Sequence, residues 1–259
     1  MSEFVKFEVK GQVGWITLSR PKAMNALNPE MLQAMVECLK AWEVDADVRV
    51  VALTATGPAF CAGADLKVAG ARDLQPGEMD LLDNIVVFFD RLRVFPKPVI
   101  AAVNGLALAG GLETVLCCDF VIAAESARFG DAHSNFGVFP GGGGAAILPR
   151  KIPENVAKYL LFTGDSLPAQ DMKTYGLVSE VVADGELLAR VQAIGDKLAE
   201  KSPLVLRRMK RVADEAADKS RADALRHELL ELRNHQRSYD IAEGLRAFAE
   251  KRKPAFKGY

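Results

Sequence analysis

The stretch Pro98-Val-Ile-Ala-Ala-Val-Asn-Gly-Leu-Ala-Leu-Ala-Gly-Gly-Leu-Glu113 leaves this chain the fewest choices. Its apolar run, residues 99–103, has the length of a buried strand and follows a proline. Asn104-Gly105 turns the chain, and Gly110-Gly111 opens residues 112–118, which read as a buried helix. Two glycines at a helix start leave backbone N–H groups bare and let a ligand come close to them. Glu113 follows in the first turn, so an acid stands beside those donors. Such a pairing suits chemistry in which a carbonyl oxygen gains negative charge while a proton moves. It also has a bland origin. The helix dipole favours a glutamate in the first turn by about 0.3–1 kcal/mol whatever its role, and glycine pairs occur wherever a strand and a helix pack tightly.

The flanking sequence supplies a mixed pattern. Residues 4–9 and 13–18 alternate around Gly11 and predict a hairpin. A polar loop over residues 19–28 ends at Asn28, which caps a helix with Pro29 in its first position, running to about Asp45. Residues 49–54 predict a buried strand leading into a small-residue loop, 57–67. Residues 71–77 read as a polar, mobile connection, and residues 79–95 carry helical periodicity. Beyond the central stretch, residues 120–124 predict a strand and residues 127–133 an extended piece. Pro140 with Gly141 to Gly144 predicts a helix start, and residues 178–182 predict a last strand. From Gly185 onward only helices are expected, over residues 186–200, 204–217, 221–237 and 239–251, before a basic, aromatic tail. Strands mixed with helices, then helices alone, indicate an α/β core with a helical appendage.

Composition excludes several classes of function. Lys and Arg total 33 against 34 Asp and Glu, so no basic field argues for nucleic acid or an anionic membrane. Cys38, Cys61, Cys117 and Cys118 form no CxxC, which points away from a zinc site or a disulfide framework and towards a reducing, cytoplasmic setting. The N-terminal residues lack the apolar core of a signal peptide. Residues 98–118, the one stretch that could mimic a membrane span, carry Asn104, Glu113 and several glycines, and no span is expected.

Five separated motifs then converge. Asn25-Ala-Leu-Asn28, Phe60-Cys-Ala-Gly-Ala-Asp-Leu66, Ala102-Val-Asn-Gly105 with Gly110-Gly-Leu-Glu113, Pro140 followed by glycines, and Lys251-Arg-Lys-Pro-Ala-Phe256 stand in this order. Together they resemble the enoyl-CoA hydratase/isomerase (crotonase) family along nearly the whole chain. The resemblance implies a spiral of β-β-α turns over residues 1–190, holding the acyl-CoA site. It also implies a C-terminal helical region, residues 191–259, that assembles homotrimers, often paired as hexamers. It makes the N–H groups of Ala64 and Gly110 an oxyanion hole for a CoA thioester carbonyl, a motif in which one donor typically contributes about 2.7–4 kcal/mol. It places CoA and substrate against Lys22, Ala23, Ala62, Asp65, Leu66, Gly111 and Phe136, and it implies no cofactor beyond the coenzyme A carried by the substrate. Lys22 and Lys67 have solvated surface charge as their plain alternative. The tail lysines read either as contacts to CoA phosphates across subunits or as a solvated terminus.

One departure matters. Hydratases of this family use two glutamates; Glu113 matches the first, and His133 stands where the second is expected. Asp131, His133 and Asn135 alternate, so an extended segment would put all three side chains on one face. His133, oriented by Asp131, is either an acid/base group near neutral pH, as its ordinary pKa of about 6.5 permits, or the wall of a polar pocket. His227 and His235 read as structural or exposed. Residues 71–82 and 136–139 are expected to shape the acyl pocket, with at least one of Phe136 and Phe139 in the core. The resulting expectation is a lyase that adds water across a 2,3-enoyl-CoA double bond through Glu113, His133 and Asp131, without a metal. The alternatives are an enoyl-CoA isomerase or CoA-dependent hydrolase using Glu113 alone, and a non-catalytic protein that binds acyl-CoA or RNA.

Overall fold

The computed structural model describes residues 3–69 and 77–259. Strands β1 (Val5–Lys10) and β2 (Val13–Leu18) pair antiparallel across the Gly11 turn, with Lys10 opposite Val13. Helix α1 (Pro29–Val44) starts where Asn28 accepts the Met31 N–H at 2.9 Å, and it buries Met31, Leu32, Met35, Leu39 and Trp42 along one stripe. Its C-terminal end is held by the Lys97 ammonium, which donates to the carbonyls of Trp42, Asp45 and Val48.

From β3 (Val50–Ala55) onward a motif repeats: a long strand, a short strand, then a returning helix. The first round is β3, β4 (Ala59–Cys61), α2 (Leu66–Ala69) and α3 (Leu81–Arg93); the second is β5 (Val99–Val103), β6 (Leu106–Leu108) and α4 (Gly110–Leu116). The third is β7 (Phe120–Ala124) and β8 (Arg128–Gly130), followed by α5 (Leu148–Lys151) and α6 (Glu154–Thr163). Then come β9 (Ser166–Pro168), α7 (Ala169–Thr174) and β10 (Glu180–Val182). The long strands, with the three-residue β10 at one edge, form one six-stranded sheet, β1-β2-β3-β5-β7-β10, parallel except at its β1 edge; the other short strands form a second sheet, β4-β6-β8-β9. This is the α/β spiral expected. The core lies against the long sheet, where β3 from Val50 to Leu53 and all of β5 are buried, which is why those runs are apolar throughout.

Helices α8 (Leu187–Ala199), α9 (Pro203–Ala216), α10 (Arg221–His235) and α11 (Tyr239–Ala249) complete the chain, within three residues of the expected bounds. The tail folds back on α11: Asp240 accepts the N–H groups of Lys257 and Gly258, and Tyr259 packs on Tyr239. Lys253 pairs with Glu200, and Lys257 lies over the Tyr239 ring.

Several expectations need correction. The strands β4, β6 and β9, each of three residues, carry too little periodicity to be read in advance, whereas β8 falls within the piece expected to be extended. The glycine run after Pro140 starts no helix; the next helical residue is Leu148. The piece over residues 127–133 is not extended throughout, because Ala132 turns left-handed (φ 58°) and His133–Phe136 forms a 3-10 turn. Asn135 therefore bonds the Gly164 carbonyl, away from Asp131 and His133. Neither Phe136 nor Phe139 is in the core; they are 70% and 83% exposed. The connection over residues 71–77 lies outside the described residues except for Gly77.

Candidate active site

The small sheet sets the site. Its parallel strands β4, β6 and β8 run side by side, with Cys61 beside Ala107 and Leu108 beside Gly130. The loop leaving each strand carries a group predicted from sequence: Ala64 after β4, Gly110 after β6, and Asp131 with His133 after β8. Their C-terminal ends thus converge, as ligand sites in parallel sheets do.

The two backbone donors sit close together. A Cβ built on Gly110 would lie 3.5 Å from the Ala64 nitrogen. Leu27 bonds on either side of Ala64, its N–H donating to Gly63 O and its carbonyl accepting from Asp65 N. The Ala64 N–H is left facing away from that bridge. Gly110 is the first residue of α4 and has no acceptor within the helix. Among the described residues neither N–H has a protein acceptor. Gly63 (φ 109°) lies in the region that favours glycine, and a Cβ there would stand 2.9 Å from the Ala109 methyl. Gly111 is buried against the Cys61 carbonyl, where a Cβ would collide; its part is the close seating of α4 on β4.

Glu113 lies one turn into α4, and its side chain is only 4% exposed. Its Oε1 accepts two backbone N–H groups, from Gly142 at 2.6 Å and from Gly144 at 3.1 Å. Two charge-assisted bonds fix the carboxylate and leave Oε2 to face His133 Nε2 at 4.0 Å. The other ring nitrogen, Nδ1, is 2.9 Å from Asp131 Oδ1. Asp131 is 1% exposed, and its Oδ2 is buried without a partner. The glycine run explains itself here. A Cβ on Gly142 would collide with Phe89 and come within 2.8 Å of Glu113 Oε2, and one on Gly144 would collide with Asp131 Oδ2. Only glycines bring these amides to the carboxylate.

Burial alone would lower the His133 pKa, but the hydrogen bond and charge of Asp131, with the charge of Glu113, outweigh it and raise the group above its ordinary value. The imidazolium is thereby favoured between two carboxylates. A water between atoms 4.0 Å apart can sit about 2.8 Å from each, so the gap admits one small reacting group.

The remaining predicted contacts form a separate rim. Lys22 and Ala23 belong to the 3-10 turn Pro21–Ala23, where Lys22 is exposed. Ala62 bonds the Met24 carbonyl through its N–H, and Leu66, half exposed, begins α2. The Asp65 side chain is occupied by Arg20 at 3.0 Å, so its visible part is to hold the loop. Arg20 also bonds the Ala26 carbonyl, and buried Asn25 bonds the carbonyls of Thr56 and Ala59. Phe136 stands exposed at the end of the 3-10 turn after His133. His227 and His235 lie in α10, each half buried. Sequence reasoning missed Gly142, Gly144 and Ala109; the signal for the first two was the run of four glycines itself.

Among the described residues no group of three or more His, Cys, Asp or Glu side chains is placed to hold a metal ion, and no helix is long and apolar enough to cross a membrane. Comparison with known proteins gives a uniform answer. The family described as enoyl-CoA hydratase/isomerase matches residues 8–259. The chain is 37% identical to a crotonyl-CoA hydratase of Syntrophomonas wolfei, over 98% of each sequence. It is also 37% identical to a 2,3-dehydroadipyl-CoA hydratase of Escherichia coli, over 94% of each. A crystal structure of an enoyl-CoA hydratase from Bacillus anthracis superposes with a TM-score of 0.93 at 36% identity, covering 99% of this chain and 100% of that one.

Proposed function

The chain belongs to the enoyl-CoA hydratase/isomerase family, and from that premise we propose that it adds water across the 2,3-double bond of an enoyl-CoA thioester. The observation that carries this reading is the facing pair, Glu113 Oε2 and His133 Nε2 at 4.0 Å, beside two unengaged backbone donors. Hydration needs a group that takes a proton from water and another that delivers one to carbon, and the pair supplies both.

The thioester oxygen accepts the N–H groups of Ala64 and Gly110, which draws electrons from C3 of the conjugated chain. Glu113 takes a proton from a water as its oxygen bonds C3, and the electron pair of the double bond moves onto the thioester oxygen as an enolate. The enolate collapses as C2 takes the Nε2 proton of the His133 imidazolium. Ionised Asp131 has no proton to give and can only accept, so it keeps a proton on Nδ1 and holds the ring. The proton on Glu113 then returns to His133 across the short gap. No electron is gained or lost, so the chemistry calls for no redox group, and coenzyme A enters as part of the substrate.

The relatives support the substrate class, since crotonyl-CoA and 2,3-dehydroadipyl-CoA are both enoyl thioesters. A homotrimer or hexamer is part of the same proposal, supported by Leu225, Leu229, Leu230 and Leu232 standing exposed on α10 and Phe248 on α11. A cytoplasmic location fits four cysteines that are all free. The test is direct: follow the loss of conjugated-thioester absorbance of crotonyl-CoA with wild type, Glu113→Gln and His133→Ala. Turnover lost by about 10²–10⁴-fold in both variants is expected. Turnover lost only in Glu113→Gln would reduce His133 to a pocket wall. A shifted double bond or a cleaved chain in place of 3-hydroxyacyl-CoA would overturn hydration.

A further inference from the structure

We propose that Ala109 is a positioning residue, whose constrained backbone aims the Gly110 N–H and keeps that donor in register with Glu113 and with the strand leading to His133. The inference rests on the oxyanion reading above.

Ala109 has φ 48° and ψ −120°. The positive-φ residues Met24 (ψ 35°) and Ala132 (ψ −3°) lie near the left-handed helical region; Ala109 lies outside it, in a conformation that suits glycine and strains any L side chain. Strain of this kind persists only where the surroundings over-determine it, and the surroundings of Ala109 do. Its N–H donates to the Gly130 carbonyl at 3.1 Å, the last residue of β8 before Asp131. Its carbonyl accepts the Glu113 N–H at 2.9 Å. Its methyl faces Gly63, whose carbonyl is fixed by Leu27 and which leads into Ala64. The peptide that leaves Ala109 carries the Gly110 N–H. One residue therefore touches the backbone behind both donors, behind the base and behind the histidine segment.

A glycine at 109 would keep both backbone hydrogen bonds and remove the strain. It would also remove the methyl from Gly63 and widen the range of φ and ψ open to this peptide, so the Gly110 N–H would no longer have one direction. Stability and activity are then expected to move oppositely, which a purely structural residue does not do.

The experiment compares wild type with Ala109→Gly in three ways: thermal midpoint, crotonyl-CoA hydration, and the ultraviolet enolate band of bound acetoacetyl-CoA, which reports how strongly the donors stabilise a thioester enolate. The expected result is a midpoint unchanged or raised by about 1–5 °C. With it, kcat falls about 10–100-fold while KM moves little, and the enolate band weakens. An Ala109→Gly protein with wild-type kcat and a wild-type enolate band overturns the positioning role, as does a lowered midpoint, since no strain would have been released. A wild-type protein that shows neither hydration nor an enolate band overturns the oxyanion reading itself, and the role of Ala109 with it.

Discussion

The two sheets divide the labour of this molecule. The long sheet holds β3 and β5, strands of six and five residues, with Val50 to Leu53 and all of β5 in the hydrophobic core. The short sheet is built from strands of three residues, and each of its parallel members stops just before a group of the candidate site: β4 before Ala64, β6 before Gly110, β8 before Asp131. One sheet gains its stability from area. The other uses parallel register to bring three loops to one place, and it spends its residues on conformations that a stable strand would avoid, Gly63 and Ala109 among them.

That division is broken most sharply by a pair of substitutions. Glu113→Gln keeps an oxygen to accept the Gly142 and Gly144 amides but cannot take a proton. Hydration is expected to fall by about 10²–10⁴-fold with unfolding stability within about 1 kcal/mol of wild type. Ile100→Ala, at a position of β5 with no exposed surface, is expected to do the reverse, losing about 2–5 kcal/mol while the folded fraction keeps its kcat. Urea unfolding and steady-state kinetics on the two proteins decide the matter. A large stability loss in Glu113→Gln, or a large kcat loss in Ile100→Ala, would mean that the sheets are not separable in this way.

The same division explains what the sequence could say. Apolar runs at residues 50–53 and 99–103 announce buried strands by composition alone, and Asn28-Pro29 announces a helix start by its capping chemistry. Glu113 beside a glycine pair was legible for the same local reason. The geometry around it was not, because it depends on contacts between distant residues. Gly142 and Gly144 meet Glu113 from 29 and 31 residues away, and letter by letter a glycine run says only that something approaches closely. The meeting of Asp131 with His133 was anticipated from alternation in an extended piece. It arises instead through the left-handed turn at Ala132, which no property of alanine suggests. Beyond that turn Phe136 and Phe139 both stand exposed, where at least one of them was expected in the core.

Gly144→Ala sharpens the comparison at a smaller scale. Its Cβ would run into Asp131 Oδ2 and stand 3.0 Å from Pro140 Cβ, so the loop must shift away from the Glu113 carboxylate. Overpacking of this kind costs about 1–3 kcal/mol. Here it also lengthens one of the two bonds that hold Oε1. Both stability and kcat are expected to drop, and a variant that loses neither would show that the glycine run does not set the carboxylate.

The smallest effect is one of pH, and it isolates the histidine. The folded protein raises the His133 pKa, with the Asp131 hydrogen bond and charge prevailing over burial. Folding therefore favours the imidazolium. Its contribution to stability is fully present below the unfolded value of about 6.5 and is lost as pH rises through the higher folded value. Asp131→Asn removes the charge that produces the shift. The stability difference between wild type and Asp131→Asn, read from urea midpoints, is expected to be largest in mildly acidic solution and to shrink as the solution is made alkaline. The alkaline arm of the pH–rate profile should move to lower pH in Asp131→Asn, because a histidine with a lower pKa is less often charged at a given pH. A stability difference that stays constant across that range would show that Asp131 acts on packing alone, and would leave the proton donor to be sought elsewhere in the small sheet's cluster.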